Sequence, residues 1–389
     1  MDVKKLIKNK SICVLPYTGF IVEPTGRVKN CIMSKDSLGN INDTPIRDIM
    51  AGEKNTNLKE AMLEDKQPSN CEGCYLQEKN RSTLDSISSR LYYLREVGAK
   101  TDFKLYDNKK NFSLKHVDLR WTNSCNQACV YCNEVFSSKW AQEKGIKIRS
   151  KKEARQDLKE YVFENIPNLQ NVYLAGGEPM LMKENFEFLQ LLKEKNKQCS
   201  IRVNTNLSTT NTGIFDLLCE FPNVHWTVSV DTIEHEYEYI RHHGSWNDFQ
   251  KNLKVIQQLD HKISFNMLHF ILNYKSIFGC VDHLKGMGFH DNSFVIGPLH
   301  TPAHMNILNL PNTMLEGVYK TISARLEANP IGYLKNSYEN LLKHYSSTPW
   351  QKDIKKFIED TNTRDNRRGL ECRKVFPDLF EELDAYTLE

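Results

Sequence analysis

The segment NSCNQACVYCNE, residues 123–134, gathers Cys125, Cys129 and Cys132, and ahead of it come Cys13, Cys31, Cys71 and Cys74. Thiolates are soft ligands that hold zinc and iron–sulfur clusters. A structural zinc site closes with four ligands, usually from paired Cys-x2-Cys knuckles. The 125–132 group offers three thiols, and no fourth Cys or His follows soon after. Three thiolates on a four-iron cubane leave one iron with an open position, which suits a reactive cluster. The amino-terminal set has four thiols, Cys13, Cys31 and the pair in CEGC at 71–74. Those four suit either a structural zinc or a second iron–sulfur cluster, and each would staple a domain with little core of its own. Cys199, Cys219, Cys280 and Cys372 are scattered singles, and burial in apolar surroundings is their default reading.

Such ligands need elements to position them. Strand-like runs recur from 114 to about 300: LKHVDLRW, NVYLAGG, SIRVNTN, VHWTVSVD, KISFNMLHFI and NSFVIGP. Helix-like runs fall between them, at roughly 151–165, 184–196, 212–220, 247–259 and 275–286. Strand–helix alternation implies right-handed crossovers and a parallel sheet. Six such units curve into an open α/β barrel, whose site lies at the carboxyl ends of the strands. The marked residues fall there: Cys125–Cys132 after the first strand, Gly176–Pro179 after the second, Asn204–Asn206 ending the third, and Ser229–Asp231 ending the fourth.

Residues 11–80 are rich in turn formers, with GFIVE and GRVKNCIM joined by PTG as a hairpin, and 83–97 reads as a linking helix. From about 311 the chain reads as helical, with amphipathic stretches near 313–328 and 350–360. The expected fold is α/β: a partial (β/α)6 TIM-like barrel over 113–310, a small Cys-rich β-hairpin cluster domain over 1–84, a linker over 85–112 and a helical carboxy-terminal extension over 311–389.

Composition narrows the class further. The chain has 389 residues, 40% hydrophobic and 26% charged, which describes an ordinary soluble protein with a substantial core. No apolar run is long enough to span a membrane, and the start carries no signal-peptide pattern, so a cytoplasmic location with reduced thiols is expected. A net charge of +3 is too small to argue for nucleic acid, and the lysines of KKLIKNK and RSKKEAR read as solvated surface.

CNQACVYC resembles the Cys-x3-Cys-x2-Cys signature of the radical S-adenosylmethionine (radical SAM) enzymes, with their aromatic, Tyr131, before the third Cys. YLAGGEP at 173–179 looks like the family's glycine-glycine-glutamate-proline motif, and VNTNLS and SVD look like its strand-end polar motifs. The resemblance covers roughly 115–300. It implies a [4Fe–4S] cluster on Cys125, Cys129 and Cys132 that chelates SAM, reductive cleavage of SAM to a 5′-deoxyadenosyl radical, and abstraction of a substrate hydrogen. It places Tyr131 near the adenine, and Gly176, Gly177, Glu178 and Pro179 at the methionyl group, with Glu178 accepting from its ammonium. Asn204, Ser229 and Asp231 are implied at the ribose or methionyl end. Arg241 pairs with the methionyl carboxylate or else makes a surface salt bridge, and His242 and His243 read as solvated loop.

Cys13-x12-Gly26-x4-Cys31 followed by CEGC resembles the auxiliary-cluster domain of that family, the short twitch form of the SPASM domain. This implies an auxiliary [4Fe–4S] cluster on Cys13, Cys31, Cys71 and Cys74. The fuller pattern would put cysteines at Asn80 and Leu84, so a second auxiliary cluster is not expected. The domain usually follows the barrel, whereas here it precedes it.

A cluster closed by four protein ligands suits electron transfer better than substrate chelation, which favours a net two-electron oxidation. The main expectation is an oxidoreductase acting on a small polar metabolite, such as a sugar, nucleotide sugar or nucleoside. The alternative is a peptide- or protein-modifying maturase, and a zinc-bound scaffold without catalysis is a third reading. A flavodoxin or ferredoxin is the expected electron donor. Cys372 is a candidate hydrogen donor to a product radical. No cobalamin-binding region precedes the barrel, which argues against B12-dependent methylation.

Overall fold

The computed structural model describes residues 9–79, 88–329, 331–348 and 353–387. Asn80, Leu84 and the first part of the expected linking helix lie outside the described residues. Two compact units divide the chain: Met1–Cys125 with Glu134–Asn204 and Asn211–His225, and Asn126–Asn133 with Thr205–Thr210 and Trp226–Glu389.

In the first unit, β1 (Gly19–Val22), β2 (Arg27–Lys29), β3 (Gly39–Asn40), β4 (His116–Leu119), β5 (Asn171–Leu174) and β6 (Ser200–Thr205) lie in the order β3–β2–β1–β4–β5–β6. The PTG hairpin forms as expected, with Ile21 opposite Lys29 in antiparallel pairing. Gly26 takes φ +87°, a left-handed conformation, and a Cβ there would lie 2.6 Å from Asn40 Oδ1, so the turn requires glycine.

β1 then pairs parallel with β4, Gly19 opposite His116 through Val22 opposite Leu119. The hairpin therefore extends the sheet, and residues 88–112 fall in the same compact unit as β1 and β4. The amino-terminal region is also more helical than its turn-rich sequence suggests. Helices Ile46–Ala51 and Glu53–Leu63 occupy it, and Leu58 and Met62 pack with Ile12, Val14, Tyr17, Leu91, Leu94 and Tyr106.

β4, β5 and β6 run parallel, with Asp118, Tyr173 and Arg202 in one row. Strand side chains alternate between faces. Val117, Leu119, Val172, Leu174, Ile201 and Val203 are fully buried on one face. Helices Lys152–Glu164 and Lys183–Asn196 bury Leu158, Val162, Phe188 and Leu192, the apolar stripe expected of crossover helices. The other face carries His116, Asp118, Tyr173 and Arg202. Helix Ser89–Glu96 meets this polar face: the Tyr93 ring lies 4.4 Å from that of His116, and the Arg202 guanidinium sits 4.8 Å from the Tyr92 ring.

β7 (Val224–Ser229) carries the chain into the second unit, where β8 (Lys262–His269) and β9 (Phe294–Pro298) pair parallel, Phe265 opposite Phe294. Helices Trp246–Gln257, Ser276–Gly286 and Asn312–Ala328 match runs read from the sequence, and Ile354–Arg368 begins within the run expected near 350–360 and continues eight residues past it. Helix Gly332–Ser347 lies in the region that reads as helical from about 311 but outside the amphipathic stretches marked there, because its buried stripe of Leu334, Ser337, Tyr338, Leu341 and Tyr345 mixes polar with apolar residues. Ser337 Oγ accepts the Ile296 N–H at 3.0 Å, so this helix satisfies an edge group of β9. No helix of the described residues is long and apolar enough to cross a membrane.

At the end of β8, fully buried His269 has Nε2 3.1 Å from the Tyr274 carbonyl, which can only accept. Nε2 therefore carries the proton, and Nδ1 accepts from the Tyr345 hydroxyl at 2.9 Å. Burial pushes the His269 pKa down to about 4 from 6.5. Between these values the unfolded chain binds the proton and the folded one does not, so stability falls as pH drops from 6.5 to 4. Relative to a His269→Gln variant, the wild type should lose up to roughly 3 kcal/mol across that window. Amide-exchange protection of Gly332–Ser347 checks this, and equal acid sensitivity of the two proteins would contradict it.

Candidate active site and cluster centres

The motif Gly176–Pro179 follows β5 and touches the segment that follows β4 within the first unit. The Glu178 N–H donates to the Ser124 carbonyl at 2.7 Å. A Cβ on Gly177 would lie 2.2 Å from that same oxygen, so only glycine permits the two backbones to meet. Gly176 takes φ +112°, which also favours glycine. Glu178 is fully buried, and its Oε1 accepts the Met180 N–H at 3.2 Å, capping the turn that Pro179 begins. Cys125 is fixed from the other side: its N–H donates to Ser138 Oγ at 3.1 Å, and the Ser138 hydroxyl donates to its carbonyl at 3.0 Å.

Cys129 and Cys132 belong to the second unit, where the loop Asn126–Asn133 is held by backbone bonds. Ala128 N–H donates to the His242 carbonyl at 2.9 Å and Val130 N–H to that of Ile240 at 2.8 Å, while Cys132 N–H closes a turn onto the Cys129 carbonyl at 2.9 Å. Asn126 joins Ser208 and Asn206 at 2.8 and 3.0 Å, a tie to the chain just beyond β6 that no spacing rule flagged.

Three of the expected site residues form one buried network here. The Tyr131 hydroxyl donates to Asp231 Oδ2 at 2.7 Å, and Arg241 Nη2 donates to both Tyr131 Oη and Asp231 Oδ2 at 2.8 Å. Asp231 is 1% exposed and Arg241 4%, so the surface salt bridge considered for Arg241 is replaced by a buried pair. Asp231 Oδ1 also accepts the Leu268 N–H at 2.8 Å. Burial raises the Cys129 thiol pKa, and the Arg241 charge acts against that rise. Ser229 is half-buried at the end of β7. In the first unit, Asn204 Oδ1 is buried with no hydrogen-bond partner among the described residues, leaving an acceptor for a ligand donor.

The amino-terminal thiols converge. Cys13, Cys31, Cys71 and Cys74 line a single small cavity with Asn30, Met33, Tyr75 and Arg90. Burial raises the pKa of all four, those of Cys31 and Cys71 to about 12, and for Cys13 and Cys71 the neighbouring thiols add to the rise. Thiolates crowded this way are stable only against a cationic centre, so the donor set fits a metal cluster. The Met33 N–H points at Cys31 Sγ from 3.4 Å, a bond of the kind that tunes cluster potentials. Arg90 braces the cavity by pairing with Glu78 and donating to the Ile12 carbonyl at 3.0 Å.

The radical SAM superfamily model matches residues 119–284, and the SPASM iron–sulfur cluster-binding domain model matches residues 13–75. The chain belongs to the radical SAM superfamily. Its parallel sheet is the superfamily's partial barrel, preceded by a SPASM domain, and its cofactors are a [4Fe–4S] cluster with SAM and an auxiliary iron–sulfur cluster. A 127-residue segment is 28% identical to an uncharacterized protein of Methanocaldococcus jannaschii, covering 31% of this chain and 40% of that protein. An 88-residue segment is 34% identical to the 7-carboxy-7-deazaguanine synthase of Clostridium acetobutylicum, covering 22% of this chain and 36% of that one. The chain thus spans less than half the length of these relatives. Streptococcus suis SuiB bound to its precursor peptide SuiA superimposes with a TM-score of 0.40 and 18% identity over 64% of this chain and 53% of that one.

Cys372 does not suit the hydrogen-donor role considered for it. It is 2% exposed, its N–H donates to Asp365 Oδ2 at 2.6 Å, and burial raises its pKa to about 12. A thiol so enclosed has no approach to a substrate.

The radical SAM core makes the Gly177 contact a sharp test. Gly177→Ala must displace the Ser124 backbone beside Cys125. Iron after anaerobic reconstitution should fall by about half, with loss of the SAM-sensitive EPR signal and retention of the other. A full SAM-sensitive signal in this variant would show that the close approach is dispensable.

Proposed function

We propose that this chain is a radical SAM enzyme that modifies a side chain of a peptide or protein, with Cys125, Cys129 and Cys132 holding the SAM-binding cluster and Cys13, Cys31, Cys71 and Cys74 the auxiliary one. When bound, SAM and its cluster supply a carbon radical that removes hydrogen from the substrate. The chain's own residues orient and enclose. Ser138 clamps the first thiol, the Ile240 and His242 carbonyls hold the loop of the other two, and the Tyr131–Asp231–Arg241 network stiffens that loop. Arg241 is already neutralised by Asp231, so its role is to fix Tyr131. Gly177 brings the GGEP turn against the cysteine segment, and Asn204 offers its unused oxygen to SAM.

The observation that carries the reading is the position of the four-thiol cavity. Ile21 stands opposite Asp118 on one side and Lys29 on the other, and Cys31 follows Lys29 by two residues, so the auxiliary centre lies toward the polar face of β4–β6. A closed cluster there is placed to take an electron from a substrate resting on that face. The expectation of a small polar metabolite leaned on the single closed auxiliary cluster. Twitch is the short form of SPASM, so the match to residues 13–75 agrees with it, and the family resemblance gives such auxiliary domains to peptide-modifying members as well, so the domain does not favour the small metabolite. A small polar substrate stays as the second reading, favoured by the segment like 7-carboxy-7-deazaguanine synthase.

The reduced, reconstituted wild type should form 5′-deoxyadenosine from SAM, and the combined Cys125→Ala, Cys129→Ala, Cys132→Ala variant should form none while keeping its auxiliary cluster. Continued cleavage by that variant would refute the cluster assignment. A cell-extract fraction that stimulates 5′-deoxyadenosine formation should lose its effect after protease digestion. Stimulation that survives the protease would favour the small metabolite.

A further inference from the structure

The polar face of β4–β6 carries two arginines in different electrostatic states. Arg120 is neutralised by Asp118, with Nε and Nη2 donating to the two carboxylate oxygens at 2.8 and 2.9 Å. Arg202 stands in the same row as Asp118 and Tyr173, yet among the described residues it has no carboxylate partner. Its Nη2 donates to His225 Nδ1 at 3.3 Å, and its guanidinium rests on the Tyr92 ring at 4.8 Å. A guanidinium does not lose its proton, so His225 Nδ1 is the acceptor and that imidazole is neutral. Neither neighbour supplies negative charge. The Tyr92 face holds the planar group in place by cation–π attraction, and the Nε and Nη1 donors make no bond within the described residues.

The surroundings belong to the auxiliary centre. Tyr93, next to Tyr92 on the same helix, packs its ring 4.4 Å from that of His116 on β4, the strand that pairs with β1 of the cluster hairpin. A group bound at Arg202 would therefore lie on the sheet face that borders the four-thiol cavity. Nη2 carries two hydrogens and gives one to His225, so one edge of the guanidinium, the second Nη2 hydrogen with that of Nε or Nη1, stays open, and a two-hydrogen edge matches a planar carboxylate better than a point acceptor.

We propose that Arg202 is the anchor for a carboxylate of the substrate, an acidic side chain or a chain-terminal carboxylate of a peptide, held against Tyr92 on the polar face of β4–β6. This rests on the reading of that face as the substrate side. Arg202 positions the substrate and takes no part in the hydrogen abstraction itself.

The test uses the reconstituted holoprotein with SAM, kept anaerobic, and three probes: N-acetylglutamate methylamide, its isosteric N-acetylglutamine methylamide, and inorganic phosphate. The wild type should bind the glutamate probe at least about tenfold more tightly than the glutamine probe, the discrimination expected of a hydrogen bond to a charged group. Arg202→Lys should keep part of that preference, and Arg202→Gln should abolish it. Phenylglyoxal labelling of wild-type Arg202, read by mass spectrometry of its peptide, gives an answer without any variant: the glutamate probe should slow it and the glutamine probe should not. No preference in the wild type, a preference that survives Arg202→Gln, labelling at Arg202 indifferent to the probes, or stronger protection by phosphate than by carboxylate would each overturn the proposal. The binding assay needs no SAM cleavage. A wild type that prefers the glutamate probe but forms no 5′-deoxyadenosine would leave the anchor standing and remove the radical reading, and the reverse result would do the opposite.

Discussion

Parallel pairing of β1 with β4 decides where the auxiliary centre can be. The hairpin that begins just after Cys13 and ends just before Cys31 is built on β1 and β2, and β1 shares its hydrogen bonds with the first strand of the barrel sheet. Four residue pairs, Gly19 with His116 through Val22 with Leu119, fix the register. A slip of one residue would exchange the faces of β1 and move Cys31 relative to Asp118. The four-thiol cavity and the polar row of Asp118, Tyr173 and Arg202 are neighbours because of that register. The electron-transfer reading and the substrate anchor both follow from it.

Two kinds of backbone constraint hold the three-thiol loop. In the first unit, glycine at 177 allows the GGEP turn to meet Ser124 with no side chain between them. In the second, Ala128 and Val130 borrow the carbonyls of His242 and Ile240, and Arg241, between those two residues, turns inward to Asp231 and Tyr131. A buried ion pair contributes little net stability, but removing one partner leaves an uncompensated charge at a cost of about 3–5 kcal/mol. The network is better understood as a device that fixes geometry beside Cys129 than as a source of stability.

Much of this was legible in the sequence because it depends on local spacing. Each barrel strand and most crossover helices followed from alternation, and Gly26 and Gly177 sit where their motifs require a residue without a Cβ. What was not legible depends on partners distant in the chain. Nothing near Gly19 announces that β1 will pair with β4. A surface salt bridge stood beside the methionyl carboxylate as a reading of Arg241 because its partner Asp231 lies across a helix and its burial is tertiary. Helix Gly332–Ser347 falls in the region that reads as helical from about 311, but its amphipathic face was not marked there, because Ser337 and two tyrosines interrupt its apolar stripe and Ser337 satisfies Ile296. Arg202 alternates with Ile201 and Val203 like any polar strand residue. Only the structure shows that its neighbours bring it no negative charge.

The central claim is that one chain holds an open cluster that binds SAM and a second cluster closed by the amino-terminal cysteines. Iron, sulfide and zinc content after anaerobic reconstitution, with EPR of the reduced protein before and after SAM, tests it most directly. The account predicts about eight irons per chain, no zinc, and two signals of which one shifts on adding SAM. About four irons with zinc in the amino-terminal site would contradict it, leaving the radical chemistry but removing the second cluster and the electron path that the polar face was read to serve.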